Sequence, residues 1–270
     1  VAAHWSAGAL GNAGETVSAR IARVLADAGY TGASSLEASA QTVQGANYAA
    51  GNLLQHLQAL ERTEQGRLFI DANGALKLHA RYHDLLNSAF AVVVSDETTS
   101  SFRYTEMQTE YDVGRVVNDV IASRNNGVSQ RATNAASRTA YQLRSLTIDG
   151  LQGQSDPEVN DLATYVLQRN AQPTTRVPRI LIKPRVAPTT WFPIVGALDI
   201  GSKISFVRTP QGVGNQMGKP LIVEAIRWRL TPDGEFDYEL QTSPVDDANG
   251  NFLVLDDATR GQLDSTRLGF

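Results

Sequence analysis

The stretch PLIVEAIRWRLTPDGEFDYELQTSP, residues 220–244, contains two alternating apolar and polar runs around a proline-aspartate-glycine turn. In the second run two aromatic residues and a leucine face one way, while Asp237 and Glu239 face the other, since successive strand side chains alternate between faces. The glycine of the turn supplies the backbone freedom that a bulged hairpin requires. The stretch therefore predicts an antiparallel hairpin with one buried face and one wet face.

The segments before this hairpin are also strand-like. RILIKPRV (179–186) and DIGSKISFVRT (199–209) are short apolar runs separated by turn residues. Several such strands in succession, each with one wet face, favour a small antiparallel barrel or sandwich, because closing a sheet hides its exposed edges.

The N-terminal part of the chain alternates between helical and hairpin patterns. Apolar residues at three- and four-residue steps predict a helix from Glu15 that ends at Gly29, and a leucine-rich helix that ends at Gly66. The stripe of the second helix consists of Ala50, Leu53, Leu54, Leu57 and Leu60. The stretch RLFIDANGALKLHA (67–80) then predicts a hairpin around its asparagine-glycine pair.

The middle of the chain predicts a second hairpin, a connection and a helix. Two strands flank the residues 125–127, Asn-Asn-Gly, and residues 133–141 form a short helical or irregular connection to a further strand, LRSLTID. Ser155 with Glu158 three residues later is a capping box, which marks the start of a helix.

Together these patterns predict an α+β fold, in which a helix-containing α/β module precedes an antiparallel β-barrel-like tube domain. The predicted division is an α+β module over 1–110, a hairpin with a helical connection over 111–172, the barrel-like domain over 173–250 and a C-terminal tail over 251–270.

Composition restricts the possible functions. The chain has 270 residues, no cysteine and a formal net charge of -4, which disfavours a protein that grips nucleic acid and excludes disulfides and thiolate sites. No apolar run approaches the roughly 20 residues of a membrane-spanning helix, so we expect no stable membrane insertion. Because the chain opens at Val1 without a leader pattern, we expect a processed product or a piece of a longer protein.

No catalytic or cofactor motif is evident. His79 and His83 have a spacing that would suit one metal ion on a helix, but His79 ends a predicted strand and no glutamate follows it, so a packing or solvated role is favoured. The glycine-rich run GVGNQMG (212–218) precedes a strand and not a helix, which favours a turn over a phosphate site. We therefore expect no enzyme, no cofactor and no bound metal. Trp191 and Trp228 are interpreted as packed in a core or interface.

The order of these pieces is more specific than any one of them. The hairpin GRLFIDANGAL, then VVNDV and RATNAAS, the capped helix, PRILIKP, LDIGSKISFVRTP, VEAIRWRLTPDGEFDYELQTSP and the ending LDSTRLGF follow one another along the chain. In this order the chain resembles minor tail proteins of long-tailed bacteriophages, and in particular the tail-hub family of the tail tip of actinobacterial phages. The resemblance covers about residues 14–270, and little of the barrel-like domain with which such proteins generally begin precedes the first helix.

The resemblance implies a structural protein of the virion tail tip. It implies a homotrimer whose barrel domains form a ring that continues the tail tube, with distal-tail or tail-tube proteins and other tail-tip proteins as neighbours, and with DNA only in transit through the lumen. On this basis Asp237 and Glu239 are expected to face the lumen, where like charge keeps DNA from adhering. The loop containing Gly212, Gly214, Asn215 and Gly218 is expected to form assembly contacts.

Two other functions remain open at this stage. A carbohydrate-binding module of the tail would require aromatic side chains exposed together in a groove. A hydrolase with a dispersed active site is the third alternative.

Overall fold

The structure is a computed structural model that describes residues 10–11, 13–47, 52–87, 89–97, 102–111, 113–210 and 217–245. It is α+β, with helices and several separate sheets, as the sequence predicts. The chain forms two compact units that interleave in sequence. The described parts of residues 10–83 and 113–173 belong to the first unit, and those of 84–111 and 174–245 belong to the second. This grouping differs from the predicted division, which followed the order of the chain.

The strands, in chain order, are β1 (Leu10–Gly11), β2 (Glu15–Thr16), β3 (Ser34–Leu36), β4 (Thr42–Val43), β5 (Ala46–Asn47), β6 (Arg67–Ile70), β7 (Leu76–His79), β8 (Val92–Ser95), β9 (Glu106–Tyr111), β10 (Asp119–Arg124), β11 (Gln130–Thr133), β12 (Ser145–Leu151), β13 (Thr175–Ile182), β14 (Lys203–Arg208), β15 (Met217–Leu230) and β16 (Phe236–Pro244). The α-helices are α1 (Val17–Asp27), α2 (Leu53–Glu64), α3 (His83–Leu86), α4 (Ala135–Tyr141), α5 (Asp156–Asn170) and α6 (Pro188–Ala197). In the described part of the chain, short 3-10 turns cover Val113–Arg115 and Pro184–Val186. None of the described helices combines the length and apolar character needed to cross a bilayer.

The first core of the first unit lies between α1, α2 and a three-stranded sheet with the order β3-β7-β6. The predicted first helix is confirmed: Val17, Ile21 and Val24 are fully buried on one face, and Gly29 follows the helix with a positive φ of 68°. The predicted hairpin is also confirmed, because β6 and β7 pair antiparallel around Gly74.

The leucine stripe of α2 is only partly correct. Leu57 and Leu60 are buried, but Leu54 is 59% exposed. The helix begins after Asn52, whose side chain accepts a hydrogen bond from the Leu54 backbone N–H. Leu54 is therefore in the first turn, on the side of the helix away from the core.

The second core of the first unit lies between α5 and a three-stranded sheet with the order β11-β10-β12. The predicted hairpin of β10 and β11 is confirmed, and β12 adds to β10 in parallel after the crossover through α4. The capping box of α5 is present, with the Ser155 backbone N–H donating to Glu158 Oε2 at 2.9 Å. At the start of β10 the hydrogen bond from Arg131 lowers the pKa of the buried Asp119.

The second unit is built on a six-stranded sheet with the order β8-β14-β15-β16-β13-β9. Its neighbours are antiparallel except for β8 and β14, which are parallel, and β8 lies outside the segment 173–250 for which antiparallel strands were predicted. Within the described residues β8 pairs with the strand β14 and β9 pairs with the strand β13. These two strands are the edges of the sheet and do not pair with each other, so the sheet is open. The structure does not show the predicted closed barrel.

The sequence patterns did not predict α6, β8 or β9. Helix α6 contains two prolines and little polar periodicity, yet its Trp191 and Val195 are buried against the six-stranded sheet. The interpretation of Trp191 as a core residue is thus confirmed. Strand β9, EMQTEY, is largely polar, and it forms because β13 offers it a hydrogen-bonding edge.

Candidate functional site

The candidate site is the polar face of the six-stranded sheet, on the side opposite its apolar core. The residues that line it are Arg179, Leu181, Arg227, Trp228, Arg229, Asp237 and Glu239, from β13, β15 and β16, and of these the Trp228 side chain alternates toward the other face. The strand register brings them together: Glu239 lies opposite both Leu181 and Arg227. The face surrounds a shallow cavity of about 320 Å³.

The alternation predicted for β16 is confirmed. Tyr238 and Leu240 are buried in the core, and the Tyr238 hydroxyl donates to the Val195 carbonyl at 3.3 Å. Burial, and then the charge of Asp199, raises the pKa of Tyr238 to about 12. Asp237 and Glu239 consequently point to the polar face, as the sequence indicated.

The charge of this face differs from the acidic surface that the sequence indicated. Arg179 Nε donates to Glu239 Oε2 at 2.7 Å, and Arg227 Nη1 lies 3.9 Å from Glu239 Oε1. The hydrogen bond to Glu239 is the largest of the effects that raise the pKa of Arg179. Because each carboxylate has a cationic neighbour, the face is a mixture of both charges.

Asp237 has the same type of environment. It faces Arg229 across the ladder, and its Oδ1 is 3.8 Å from Lys183 Nζ. Lys183 also lies 3.6 Å from Glu235 Oε2. Such partly exposed pairs each contribute only about 0–1 kcal/mol to stability, so the charges remain available to an incoming molecule at little cost.

Trp228 is exposed in the chain, so of the two predicted places, a core or an interface, it does not occupy the core. Its side chain is 69% accessible, although the residue lies in register with the buried Tyr238. On β15 the apolar cluster includes Ile226 and ends before Trp228. Helix α6 packs on the neighbouring strand β16, so β15 continues past the layer that covers the core. Sequence alternation correctly assigns Trp228 to the apolar side of its strand, but it cannot show where the covering layer ends.

The expected assembly loop is described only at its end. Gly212, Gly214 and Asn215 lie outside the described residues. Gly218 is on β15 in register with Val207, and a Cβ added there would meet no atom within 4 Å. Close packing therefore does not require a glycine at this position.

A second group of polar side chains occurs in the first unit. Glu37, His79 and His83 each offer one candidate metal-ligand atom, and these three atoms lie within 4.8 Å of one another. The sequence reasoning considered the two histidines but missed Glu37, which is brought to them by the parallel pairing of β3 with β7. The HARYH spacing was the detectable signal, while the carboxylate could only be found from the strand pairing.

Comparison with solved structures places the fold among known ones. The chain is similar to the tail protein from Neisseria meningitidis MC58, with a TM-score of 0.59 and 14% identity over 90% of this chain and 71% of that one. It is also similar to the 43 kDa tail protein of prophage MuSo2 from Shewanella oneidensis, with a TM-score of 0.56 and 11% identity over 88% and 67% of the two chains. No protein-family model and no curated protein matches the chain. At these identities the likeness shows a shared fold.

Proposed function

We propose that the chain is a structural protein of a bacteriophage tail, which acts by assembly and not by catalysis. The observation that carries this proposal is the shared fold, which extends over 90% and 88% of the chain in two proteins that are named as tail proteins. The order of sequence motifs points to the same class independently. We further propose a place at the tail tip, in a homotrimeric hub ring that adjoins the tail tube.

The open sheet of the second unit supports a role in assembly. Among the strands that the structure describes, β9 pairs with β13 and with no other, and Tyr111 at its end is 63% exposed. An unpaired strand edge is a template for pairing with another chain. The tube wall in this proposal therefore forms when the sheets of several copies join.

The same proposal gives Asp237 and Glu239 a place in the ring lumen. Their charges are offset by Arg179, Arg227 and Lys183, so a wall of this composition would hold DNA weakly through its balance of charge. Cryo-electron microscopy of the assembled tail tests this directly: Asp237 and Glu239 should face the axis, and their location on the outer surface or between subunits would refute the lumen role.

The assembly itself is tested by the mass of the purified chain and by a change at the β9 edge. One chain has a mass of 29.2 kDa, and we expect native mass spectrometry of the purified protein to give three times that mass. Thr109→Lys places a charge on the exposed edge of β9 and should lower the trimer fraction. Thr133→Lys is the matched control, because Thr133 is an exposed threonine on β11, which is the edge of another sheet. A monomer at all concentrations, or equal effects of the two variants, would contradict the proposal.

A second candidate function is recognition of a carbohydrate around Trp228, on the uncovered part of β15. The observation that favours it is the 69% exposure of Trp228, which borders the cavity of arginines and carboxylates while its ring alternates to the other face of the strand; an uncovered aromatic ring suits stacking on a sugar. Glycan-array binding should be lost in Trp228→Ala and kept in Leu230→Ala, which removes a neighbouring exposed side chain. Absence of any glycan signal in the wild type would eliminate this candidate.

A further inference from the structure

One cluster of side chains, at the end of β7, joins two imidazoles and a carboxylate. His79 is the last residue of β7, His83 is the first residue of α3, and Glu37 directly follows β3. Their candidate ligand atoms lie within 4.8 Å of one another. We propose that Glu37, His79 and His83 form a binding site for a divalent transition-metal ion, with Zn²⁺ as the ion that fits best.

Main-chain hydrogen bonds determine where these three residues lie. Leu36 pairs with Leu78 in the parallel ladder, and the Glu37 backbone N–H donates to the Leu78 carbonyl at 3.2 Å. The His83 backbone N–H donates to the Ala80 carbonyl at 3.0 Å. The backbone positions of the three residues are therefore determined by the sheet and by the turn that follows it, while their side chains can still rotate.

The carboxylate of Glu37 is already oriented toward the histidines. Its Oε1 lies 2.6 Å from His83 Nδ1, and its Oε2 accepts a hydrogen bond from the Ala80 backbone N–H at 2.9 Å. A metal ion would take the place of the proton shared with His83, while the bond from Ala80 would continue to hold the other oxygen. Hydrogen bonds of this kind orient the ligands of protein metal sites and tune their affinity.

Binding requires one imidazole to rotate. The rings of His79 and His83 are stacked, with centroids 3.6 Å apart and planes 10° from parallel. Because the nitrogen lone pairs lie in the ring planes, two parallel rings cannot both direct a lone pair at one ion. Rotation about the second side-chain torsion of histidine, which has broad minima, solves this without backbone movement. Loss of the ring stack is therefore a specific expected effect of metal binding.

The donor set selects the class of metal. Two imidazole nitrogens and one carboxylate oxygen suit Zn²⁺ and its first-row neighbours, whereas Mg²⁺ and Ca²⁺ prefer oxygen ligands. The chain contains no cysteine, so no thiolate competes for the ion. The side chains of Glu37 and His83 are 39% and 14% accessible, which leaves a route for the ion and room for a water ligand.

Titration of the full chain with Zn²⁺ by isothermal calorimetry tests the site. We expect the wild type to bind one ion per chain. His79→Asn and His83→Asn should each lower the affinity by more than about 100-fold, because removing a hydrogen-bond partner of a metal ligand costs about 10–100-fold and removing the ligand itself should cost more. His56→Asn is the matched control, because His56 is a histidine of α2 that is not among the three clustered residues, and the affinity of this variant should be unchanged. No Zn²⁺ binding by the wild type, or equal binding by all variants, would overturn the proposal.

A second measurement does not depend on the folding of any variant. The chain has four histidines, so its imidazole nuclear magnetic resonance signals are few and can be followed while Zn²⁺ is added to the wild-type protein. The signals of His79 and His83 should both shift and reach saturation at one equivalent of Zn²⁺, while the signal of His56, which is not in the cluster, stays in place. Shifts that leave the signals of His79 and His83 unaffected, or no shifts, would refute the site.

Discussion

Leu240 provides a direct test of the second unit, since it lies at the centre of the six-stranded sheet. Its side chain is fully buried, and its neighbours across the ladder are Ile180 on β13 and Ile226 on β15. We expect Leu240→Ala to lower the free energy of unfolding by about 3–4 kcal/mol, within the range of about 2–5 kcal/mol for buried leucines. The value should lie above the low end because strands on both sides prevent the cavity from closing.

Leu230→Ala is the matched control for this experiment. It removes the same atoms from the same hairpin, but Leu230 is 64% exposed. A change at such a position should cost no more than about 0.5 kcal/mol. Urea denaturation followed by circular dichroism and by tryptophan fluorescence gives both values, and agreement between the two probes checks for a single transition.

A specific outcome would refute this reasoning. If Leu240→Ala cost less than about 1 kcal/mol, or if the two variants were equally destabilised, the assignment of the two faces of β16 would be wrong. Asp237 and Glu239 would then not lie on a polar face, and both the lumen proposal and the carbohydrate proposal would lose their basis.

Three further predictions concern the first unit. Burial, followed by the charge of Arg20, lowers the pKa of His56 from 6.5 to about 4. As the pH falls from 6.5 to 4, the unfolded chain therefore binds a proton that the folded chain does not, and the free energy of unfolding should decrease. Urea denaturation at each pH should show a smaller decrease for His56→Gln than for the wild type. Glu64 is buried, and its carboxylate accepts hydrogen bonds from the backbone N–H groups of Ala40, Gln41 and Arg81. Glu64→Ala should lower the free energy of unfolding, measured by chemical denaturation, by about 2–5 kcal/mol, because these donors are left without acceptors. A decrease of less than about 1 kcal/mol would contradict that account. Ser155→Ala removes the capping box of α5 and should cost about 1 kcal/mol, measured in the same way, with Ser155→Asp as the variant that restores the cap.

The local elements of this protein follow from its sequence because each depends on neighbouring residues. The capping box of Ser155 and Glu158 requires only four consecutive residues, and it is present as predicted. The turn at Gly74 requires only a residue that tolerates a positive φ, and it joins β6 to β7. The alternation in β16 is likewise a property of the extended chain, which is why the buried side of Leu240 could be predicted.

Long-range pairing could not be predicted in the same way. Strand β9 is polar and carries no strand pattern of its own; it becomes a strand because β13 presents unpaired backbone groups to it. Strand β8 joins β14 in parallel, although their sequences are separated by the whole middle of the chain. Such pairings depend on backbone groups that every residue except proline has, so side-chain patterns contain little information about them.

The candidate sites show the same distinction. The sequence by itself determined that Asp237 and Glu239 share a face, because this depends on spacing within a few residues, whereas for His79 and His83 it gave only a separation of four positions. Only the tertiary structure placed Arg179 and Arg227 beside Glu239, brought Glu37 to the histidines and left Trp228 uncovered. These contacts join residues that are far apart in the chain, and the physical reason is that strand register and the limits of the covering layer are properties of the packed molecule.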